Sequence, residues 1–214
     1  MESYLTVFGE NTSEFTEKRS RFIATLRHCE TESEANDFIN EMRSKYWDAK
    51  HNVFAYSVSG GSLCRFSDDG EPHGTAGKPM LDVITGSGIT NIAVVVTRYF
   101  GGVLLGTGGL VRAYSKSVQD VLQKSDVYIM LPCTSLEIEC PYSDHARLLK
   151  LIESFDGKVD TTEFTDKVKV IFSLKSEFLE DFSKKLCETF SATLETAEIG
   201  TKLTPFKKII KELS

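Results

Sequence analysis

Hydrophobic residues change their spacing along the chain, and each change predicts a new element. In the first half, short apolar runs bounded by polar residues predict buried strands. These runs span residues 21–26, 51–57 and 92–100. Elsewhere apolar residues recur every three or four positions, which predicts helices. We expect helices over residues 31–46, from about residue 75, and over residues 108–124.

Local features support these helix assignments. Thr31 followed by Glu34 has the pattern of a capping box. Pro79 stands in the first turn of the second helix, where its missing N–H costs little. The third helix would bury an apolar face made of Leu110, Val111, Tyr114, Val118, Val121 and Leu122. Strands and helices alternate without a regular repeat, so the pattern indicates an α+β fold.

The second half predicts elements in the order β-α-β-β-α-β, the split βαβ arrangement of a ferredoxin-like domain. The elements are a strand at 136–140, a helix capped by Ser143, a hairpin of 159–164 and 167–174, a helix from Glu177, and a strand at 193–199. The first helix would bury Ala146, Leu149, Ile152 and Phe155, and the second Phe178, Phe182, Leu186 and Phe190. Residues 205–213 predict a short basic helix.

The clearest change in composition lies near residues 131–134, because almost all glycines precede it. We therefore predict an N-terminal domain over residues 1–133 and a C-terminal domain over residues 134–200. A basic tail would occupy residues 201–214, where Lys202, Lys207, Lys208 and Lys211 lie close together.

Bulk composition limits the classes of protein to consider. The chain has 214 residues, 41% hydrophobic and 26% charged, which is typical of a globular protein. It has no apolar run of about 18 residues and no signal-like start, so we expect a cytoplasmic protein without a membrane partner. Its five cysteines are widely spaced without a C-x-x-C pair, which disfavours a disulfide framework or a zinc site. We expect no cofactor and no bound metal.

A glycine-rich segment between a strand and a helix is the strongest candidate for ligand binding. Glycines let backbone N–H groups approach an anion, and the start of a helix adds partial positive charge. Arg98 precedes the loop and Arg112 follows one turn into the helix, so the two could clamp a phosphate or carboxylate. The candidate phosphate-binding set is Arg98, Gly101, Gly102, Gly106, Thr107, Gly108, Gly109 and Arg112.

Two known nucleotide-binding motifs do not fit this segment. Thr107-Gly108 stands where a Walker A loop needs Lys-Ser or Lys-Thr. Val111 stands where a dinucleotide fingerprint needs its third glycine. Nucleotide hydrolysis and nicotinamide binding are therefore disfavoured. The alternative to a ligand site is that the glycines only permit turns and close packing.

A second, acidic loop holds three carboxylates and His73. Asp68, Asp69 and Glu71 could hold a hard cation, although their spacing matches no EF-hand. The alternative is a polar turn in which Asp69 or Glu71 caps backbone N–H groups or pairs with Arg98. The supporting set is Asp68, Asp69, Gly70, Glu71, Thr75 and Gly77. No catalytic residue is assigned, and the sequence favours a binding protein over an enzyme.

Four further residues carry weaker predictions. Tyr99 and Phe100 could stack bases beside Arg98, although consecutive strand residues point to opposite faces. His51 has no partner at ligand spacing and is expected at the surface. Trp47 is expected to anchor a helix end.

The two loops together resemble the signatures of the IMPACT/YigZ family. The first signature is carried by Ser67-Asp68-Asp69-Gly70-Glu71-Pro72, Gly74-Thr75-Ala76-Gly77 and Pro79. The second is carried by residues 95–102 and 105–114. The resemblance implies an N-terminal domain with the fold of the second domain of ribosomal protein S5. It also implies a ferredoxin-like C-terminal domain similar to the last domain of elongation factor G.

The resemblance also implies a connection with translation. Eukaryotic members are linked to the control of translation initiation through an extra N-terminal module, which we do not expect in this chain. We therefore expect a translation-associated regulator that binds RNA, the ribosome or another phosphate-bearing ligand. One alternative is a metal-dependent hydrolase using Asp68, Asp69 and Glu71, since some bacterial members have been labelled proline dipeptidases. Another is a module that docks a translation factor or a kinase.

Overall fold

Two β-sheets organise the chain in the computed structural model, which describes residues 2–207. Residues 4–129 form one compact unit, and residues 130–206 form most of a second. Five α-helices accompany the sheets within the described residues, so the fold is of the predicted α+β class. None of the helices in this range has the length and apolar composition to cross a membrane.

The N-terminal unit is built on an antiparallel sheet of five strands. Its elements are β1 (Tyr4–Val7), β2 (Glu10–Glu17), β3 (Ser20–His28), α1 (Glu32–Lys45), β4 (His51–Val58), β5 (Leu63–Ser67), α2 (Gly77–Ser87), β6 (Ile92–Tyr99) and α3 (Thr107–Gln123). The strand order in the sheet is β2-β3-β6-β4-β5. The first strand, β1, makes a parallel bridge from Leu5 to Ile89.

The central strand β6 is buried on both faces, which explains its unbroken apolar run. Val94 and Val96 belong to a core shared with α2 and α3. Ala93 and Val95 face the opposite side and pack with residues of α1 such as Phe38. Successive side chains of a strand alternate between faces, so one strand supplies both cores.

Most predicted elements of this unit are confirmed. Thr31 caps α1 by accepting from the Glu34 N–H, while the Glu34 carboxylate accepts from Glu30 rather than from Thr31. Pro79 is the third residue of α2. Val111 is only half-buried in α3, whereas Ala113 and Ser117 are buried. The sequence did not predict β1, β2 or β5, because β2 and β5 are sheet edges whose side chains are largely polar or exposed.

The C-terminal unit has the predicted order β-α-β-β-α-β. Its elements are β7 (Val127–Cys140), α4 (Tyr142–Ser154), β8 (Lys158–Phe164), β9 (Val168–Lys175), α5 (Leu179–Phe190) and β10 (Ala197–Lys207). β9 lies between β7 and β8 and is antiparallel to both, and β10 pairs with β7. The alternating residues Val168, Val170 and Phe172 are buried on one face of the sheet against α4 and α5.

Two details of α4 differ from the prediction. Pro141, not Ser143, is the N-cap residue, and Ser143 lies inside the helix. The buried stripe is Leu148, Leu151 and Ile152, while Ala146 is exposed. The larger leucines face the sheet, since they bury more apolar area than an alanine.

The last strand is also placed differently from the prediction. It covers Ala197–Lys207 rather than 193–199, and it therefore includes the start of the predicted tail and of the predicted basic helix. Most of its side chains are exposed, so no alternation of apolar and polar residues marks it. The rest of that predicted helix, residues 208–213, lies outside the described residues.

Candidate functional site

Asp68 organises the acidic loop between β5 and α2. One carboxylate oxygen accepts from the N–H groups of Ala76 and Gly77 at 3.1 and 2.8 Å. The other accepts from the Gly74 N–H at 2.8 Å. The carboxylate therefore satisfies donors at the start of α2, which lacks a side-chain cap of its own. Thr75 closes the same loop by donating to the Pro72 carbonyl oxygen at 2.6 Å.

Asp69 ties the loop to β4. Its Oδ2 accepts from the backbone N–H of Asn52 at 2.7 Å, and its Oδ1 lies 3.3 Å from Arg43. Its own φ is 44° and that of Gly70 is 84°, so the chain turns sharply at this point. Both aspartates thus hold the loop in place, as in the polar-turn alternative of the sequence analysis.

Glu71 forms the centre of a buried polar cluster with Arg98 and Tyr114. Glu71 Oε1 accepts from Arg98 Nη1 at 2.6 Å and from the Tyr114 hydroxyl at 2.8 Å. The Arg98 and Glu71 side chains are only 6% and 3% exposed. Burial, and then the neighbouring Glu71 carboxylate, raise the pKa of Tyr114. The cluster joins the acidic loop, β6 and α3.

One nitrogen of the Arg98 guanidinium has no hydrogen-bond partner among the described residues. Its Nη2 lies 3.4 Å from Ser20 Oγ, but its buried Nε has no hydrogen-bond partner among the described residues. A buried N–H without a partner is costly, so it points to a missing acceptor.

The predicted clamp of two arginines is not formed on one cavity. Arg98 lines a cavity of about 400 Å³ together with His51, Gly106 and Thr107, which we call the α3 cavity. Arg112 is exposed on α3 and lines a separate cavity of about 310 Å³. The two arginines differ because the Arg98 side chain is buried and paired with Glu71, whereas Arg112 lies on the exposed side of α3.

The α3 cavity opens on the N-terminus of α3. Gly106 is the N-cap residue and has no side chain to cap the helix, and its carbonyl accepts the first helical bond, from Leu110. The N–H groups of Thr107, Gly108 and Gly109 have no partner within residues 2–207. Such free donors, with the helix dipole, favour an anion.

Most glycines of the two loops are explained by the fold. A side chain at Gly101 would overlap the backbone of Arg19, and one at Gly77 would lie 2.7 Å from the Ser67 carbonyl oxygen. Gly102 and Gly106 have φ of 83° and 73°, a region that other residues rarely adopt. A Cβ at Gly109 would meet that of Leu105 at 3.0 Å.

Gly108 is the exception among these glycines. It has no positive φ, and a Cβ there would have no atom within 4 Å. Glycine costs about 1 kcal/mol relative to alanine inside a helix. The fold therefore gives no reason for a glycine at this position, whereas close approach of a ligand to the backbone does.

His51 is a site residue that the sequence reasoning missed. It was expected at the surface, but it is buried and lines the α3 cavity. Its Nδ1 lies 2.8 Å from the Asp69 carbonyl oxygen, which can only accept, so Nδ1 carries a proton. The other ring nitrogen, Nε2, is 4.0 Å from Glu71 Oε1 and has no hydrogen-bond partner among the described residues. Only the pairing of β4 with β6, which sets His51 opposite Arg98, brings it here.

The aromatic residues near the site differ in their exposure and in their contacts. The Phe100 ring lines the α3 cavity, is 48% exposed, and lies 5.5 Å from the Arg98 guanidinium carbon. Tyr99 donates its hydroxyl to Asp48, and burial raises its pKa. Trp47 is 82% exposed, so the prediction that it anchors a helix end is wrong. Phe100 is thus the ring available for stacking in this cavity.

The acidic loop does not assemble a metal site in the part of the chain that the structure describes. Asp68, Asp69 and Glu71 are engaged by backbone N–H groups, Arg43 and Arg98 as above. No group of three or more His, Cys, Asp or Glu within residues 2–207 is arranged to hold a metal ion. The His73 side chain is fully exposed at 3.8 Å from Asp68.

Comparison with known proteins identifies the family. Residues 18–122 match the Impact N-terminal domain, and residues 138–193 match a domain of unknown function, DUF1949. The chain is 36% identical to IMPACT family member YigZ of Escherichia coli, covering 93% of this chain and 99% of that protein. It belongs to the IMPACT family. IMPACT family member YvyE of Bacillus subtilis is 45% identical, with 99% and 92% of the two chains covered.

The other comparisons show how far the IMPACT family likeness extends. A solved structure described as that of a hypothetical protein shares 36% identity and a TM-score of 0.60, covering 93% of this chain and 98% of that chain. The Protein IMPACT homolog of Dictyostelium discoideum is 38% identical over 42% of this chain and 27% of its own length. The Impact N-terminal domain contains both loops and nearly all of α3.

Proposed function

We propose that this IMPACT family member is a translation-associated binding protein that holds a phosphate of RNA at the N-terminus of α3. The observation that carries the proposal is an uncapped helix start facing a cavity, with a glycine at position 108 that the fold does not require. The link of eukaryotic IMPACT proteins with translation regulation supports this family-level role.

The chemistry of the α3 cavity favours an anion. Three backbone N–H groups, from Thr107 to Gly109, have no partner among the described residues, and Thr107 lines the cavity. Lys50 also lines the cavity and has no ion-pair partner among the described residues. Arg98 adds a positive charge to the wall of the cavity. Glu71 opposes these groups, but its charge is engaged by Arg98 and Tyr114.

Two further groups favour a ribonucleotide over a simple phosphate. The exposed part of the Phe100 ring offers a face on which a base can stack. In a neutral His51, Nε2 is a free acceptor because Nδ1 is the donor to Asp69. A ribose 2′-hydroxyl is a donor of the kind that distinguishes RNA from DNA.

Binding of a labelled single-stranded RNA, measured by fluorescence anisotropy, tests the proposal. In Gly108→Ala, the added Cβ points toward the N-terminus of the helix, where the anion would lie. We expect affinity to fall about tenfold or more, the equivalent of 1.4 kcal/mol. Stability should not fall, since alanine favours a helix by up to about 1 kcal/mol.

Gly86→Ala is the matched control, because Gly86 also lies in a helix with open space around it. It should share the effect on stability and leave binding unchanged. Wild-type affinity in Gly108→Ala would refute an anion at this helix start. A strong loss of stability in the same variant would instead show a structural need for the glycine.

The finer assignments are part of the same proposal. We propose that the N-terminal unit has the fold of the second domain of ribosomal protein S5 and that the C-terminal unit is ferredoxin-like. The order β-α-β-β-α-β and the pairing of β7 with both β9 and β10, with β8 beyond β9, support the second assignment. The division at residues 133 and 134 and the cytoplasmic location remain predictions.

The hydrolase and protein-docking alternatives gain no specific support. The carboxylates required by a hydrolase hold the loop together instead of facing one another. A measurable heat of binding in calorimetric titration with magnesium, manganese or zinc would support the hydrolase alternative. Capture of a translation factor by residues 135–214 would support the protein-docking alternative.

A further inference from the structure

The β2–β3 hairpin ends in an unusual basic turn. Glu17 pairs with Ser20, so the turn consists of Lys18 and Arg19 alone. Their φ values are 46° and 66°, in the left-handed region where two-residue hairpins strongly prefer Asn-Gly. Left-handed backbone costs roughly 1–2 kcal/mol for a residue with a Cβ. The chain therefore keeps two cations at a position where a neutral turn would be more stable.

These cations remain free of protein partners. Lys18, Arg19 and Arg112 are exposed, and none has an ion-pair partner in the described range. Lys18 and Arg112 line the cavity of about 310 Å³ noted above, which we call the hairpin cavity. Lys116, which pairs with Asp120, and Glu17 also line it, so its lining has more positive than negative charge.

The hairpin cavity and the α3 cavity flank the first turn of the same helix. Leu105 lines both cavities, with Thr107 on one side and Gly109 on the other. The close approach of Gly101 to the backbone of Arg19 holds the hairpin tip against the glycine-rich loop. The spatial relation between the cations and α3 is therefore fixed by packing.

We propose that the hairpin cavity is a second phosphate subsite, so that the ligand is a single-stranded nucleic acid whose backbone crosses the first turn of α3. This inference rests on the proposed function and adds the length and form of the ligand. A helix is about 10 Å across, so a ligand that reaches both cavities is longer than a mononucleotide. Exposed cations along such a path are the usual contacts for a backbone.

The double variant Lys18→Asn/Arg19→Gly separates this role from a structural one. It installs the preferred turn and removes two charges. We expect the thermal midpoint to rise and the affinity for an eight-nucleotide RNA, within the roughly 4–16 nucleotides of a typical site, to fall about tenfold. The slope of log affinity against log salt should shrink by about 0.7, the value for one lost phosphate contact, because Lys18 lines the cavity and Arg19 does not. Affinity for a ribonucleoside monophosphate should not change.

A second variant and a control keep the test decisive. Arg112→Gln should weaken binding of the eight-nucleotide strand in the same way, whatever the hairpin variant does to folding. Lys124→Gln/Lys150→Gln removes two exposed charges that lie outside both cavities and have no ion-pair partner among the described residues. This control should bind as the wild type does.

The outcomes distinguish the inference from the proposed function. An unchanged salt slope in the hairpin variant, or an equal loss for the monophosphate, would overturn the second subsite. Tighter binding of duplex than of single-stranded RNA would also overturn it, whereas equal binding of single-stranded DNA would support the subsite and remove the role of His51. Failure of the wild-type protein to bind any nucleotide would instead refute the proposed function.

Discussion

Arg98 and Arg112 lie on either side of one glycine-rich loop, yet the structure uses them in opposite ways. Arg98 is buried, pairs with Glu71 and joins three elements. Arg112 is exposed and has no ion-pair partner among the described residues. The same contrast holds for two glycines, since packing requires Gly101 and does not require Gly108. The glycine-rich loop and its flanking arginines thus include residues that the fold requires and residues that remain accessible to a ligand.

Substitution of the buried arginine should have the largest effect. Arg98→Ala leaves the Glu71 carboxylate buried without its counterion. Such changes typically cost 3–5 kcal/mol, so we expect about that loss in the free energy of unfolding. Denaturant titration measures it, with Arg112→Ala as the control that should stay within about 0.5 kcal/mol of the wild type.

A double variant tests whether the unpaired Glu71 carboxylate causes the loss of stability in Arg98→Ala. Arg98→Met/Glu71→Gln removes both charges, while the amide oxygen can still accept from Tyr114. It should be more stable than Arg98→Ala. Equal stability of Arg98→Ala and Arg112→Ala would remove the distinction between the two arginines.

Alanine substitutions at Gly101 and Gly108 should change stability in opposite directions. Gly101→Ala forces the backbone of the loop after β6 away from the β2–β3 turn, and overpacking of this kind costs about 1–3 kcal/mol. Gly108→Ala should be neutral or stabilising, as argued above. Thermal unfolding of the two variants side by side checks the difference, and a destabilised Gly108→Ala would contradict it.

The hydroxyl of Tyr114 should contribute less than the arginine. Tyr114→Phe removes one donor to Glu71, a loss of about 1–3 kcal/mol for a buried acceptor. The folded-state pKa of Tyr114 is raised above the ordinary value of 10.0. The folded state therefore holds this proton more tightly, and the stability it gives is present below pH 10 and lost as pH rises further.

Unfolding experiments at increasing alkaline pH test this predicted contribution of the Tyr114 hydroxyl to stability. The wild type should lose stability more steeply than Tyr114→Phe, because the variant lacks the group that must remain protonated. Parallel curves for the two proteins would show that this hydroxyl does not respond to pH in the folded state.

The smallest expected effect concerns ligand choice rather than stability. In His51→Asn, the side-chain amide can still donate to the Asp69 carbonyl, but no ring nitrogen faces the α3 cavity. We expect the preference for single-stranded RNA over DNA of the same sequence to decrease. Competition binding measures the preference, and an unchanged ratio would exclude an acceptor role for His51.

The sequence anticipated the polar turn better than the clamp. It offered a pairing of Glu71 with Arg98 as an alternative for the acidic loop, and the structure has that pair. It could not predict that His51 or the Lys18–Arg19 turn would belong to the proposed site. Both depend on strand pairing, which sets His51 opposite Arg98 and Glu17 opposite Ser20. β2 itself was missed, since its side chains are mostly polar.

The sequence by itself determined the α+β class, the main strands and helices, the order of the C-terminal unit and the family, because these follow from local periodicity and from a long motif. Only the tertiary structure decided which charged side chains pair inside the protein and which remain exposed to solvent. The reason is that burial and pairing join residues far apart, as Glu71 joins Arg98 and Tyr114, which are 27 and 43 positions away. A guanidinium that meets a carboxylate inside the protein is part of the fold, and one that meets only water is available to a ligand.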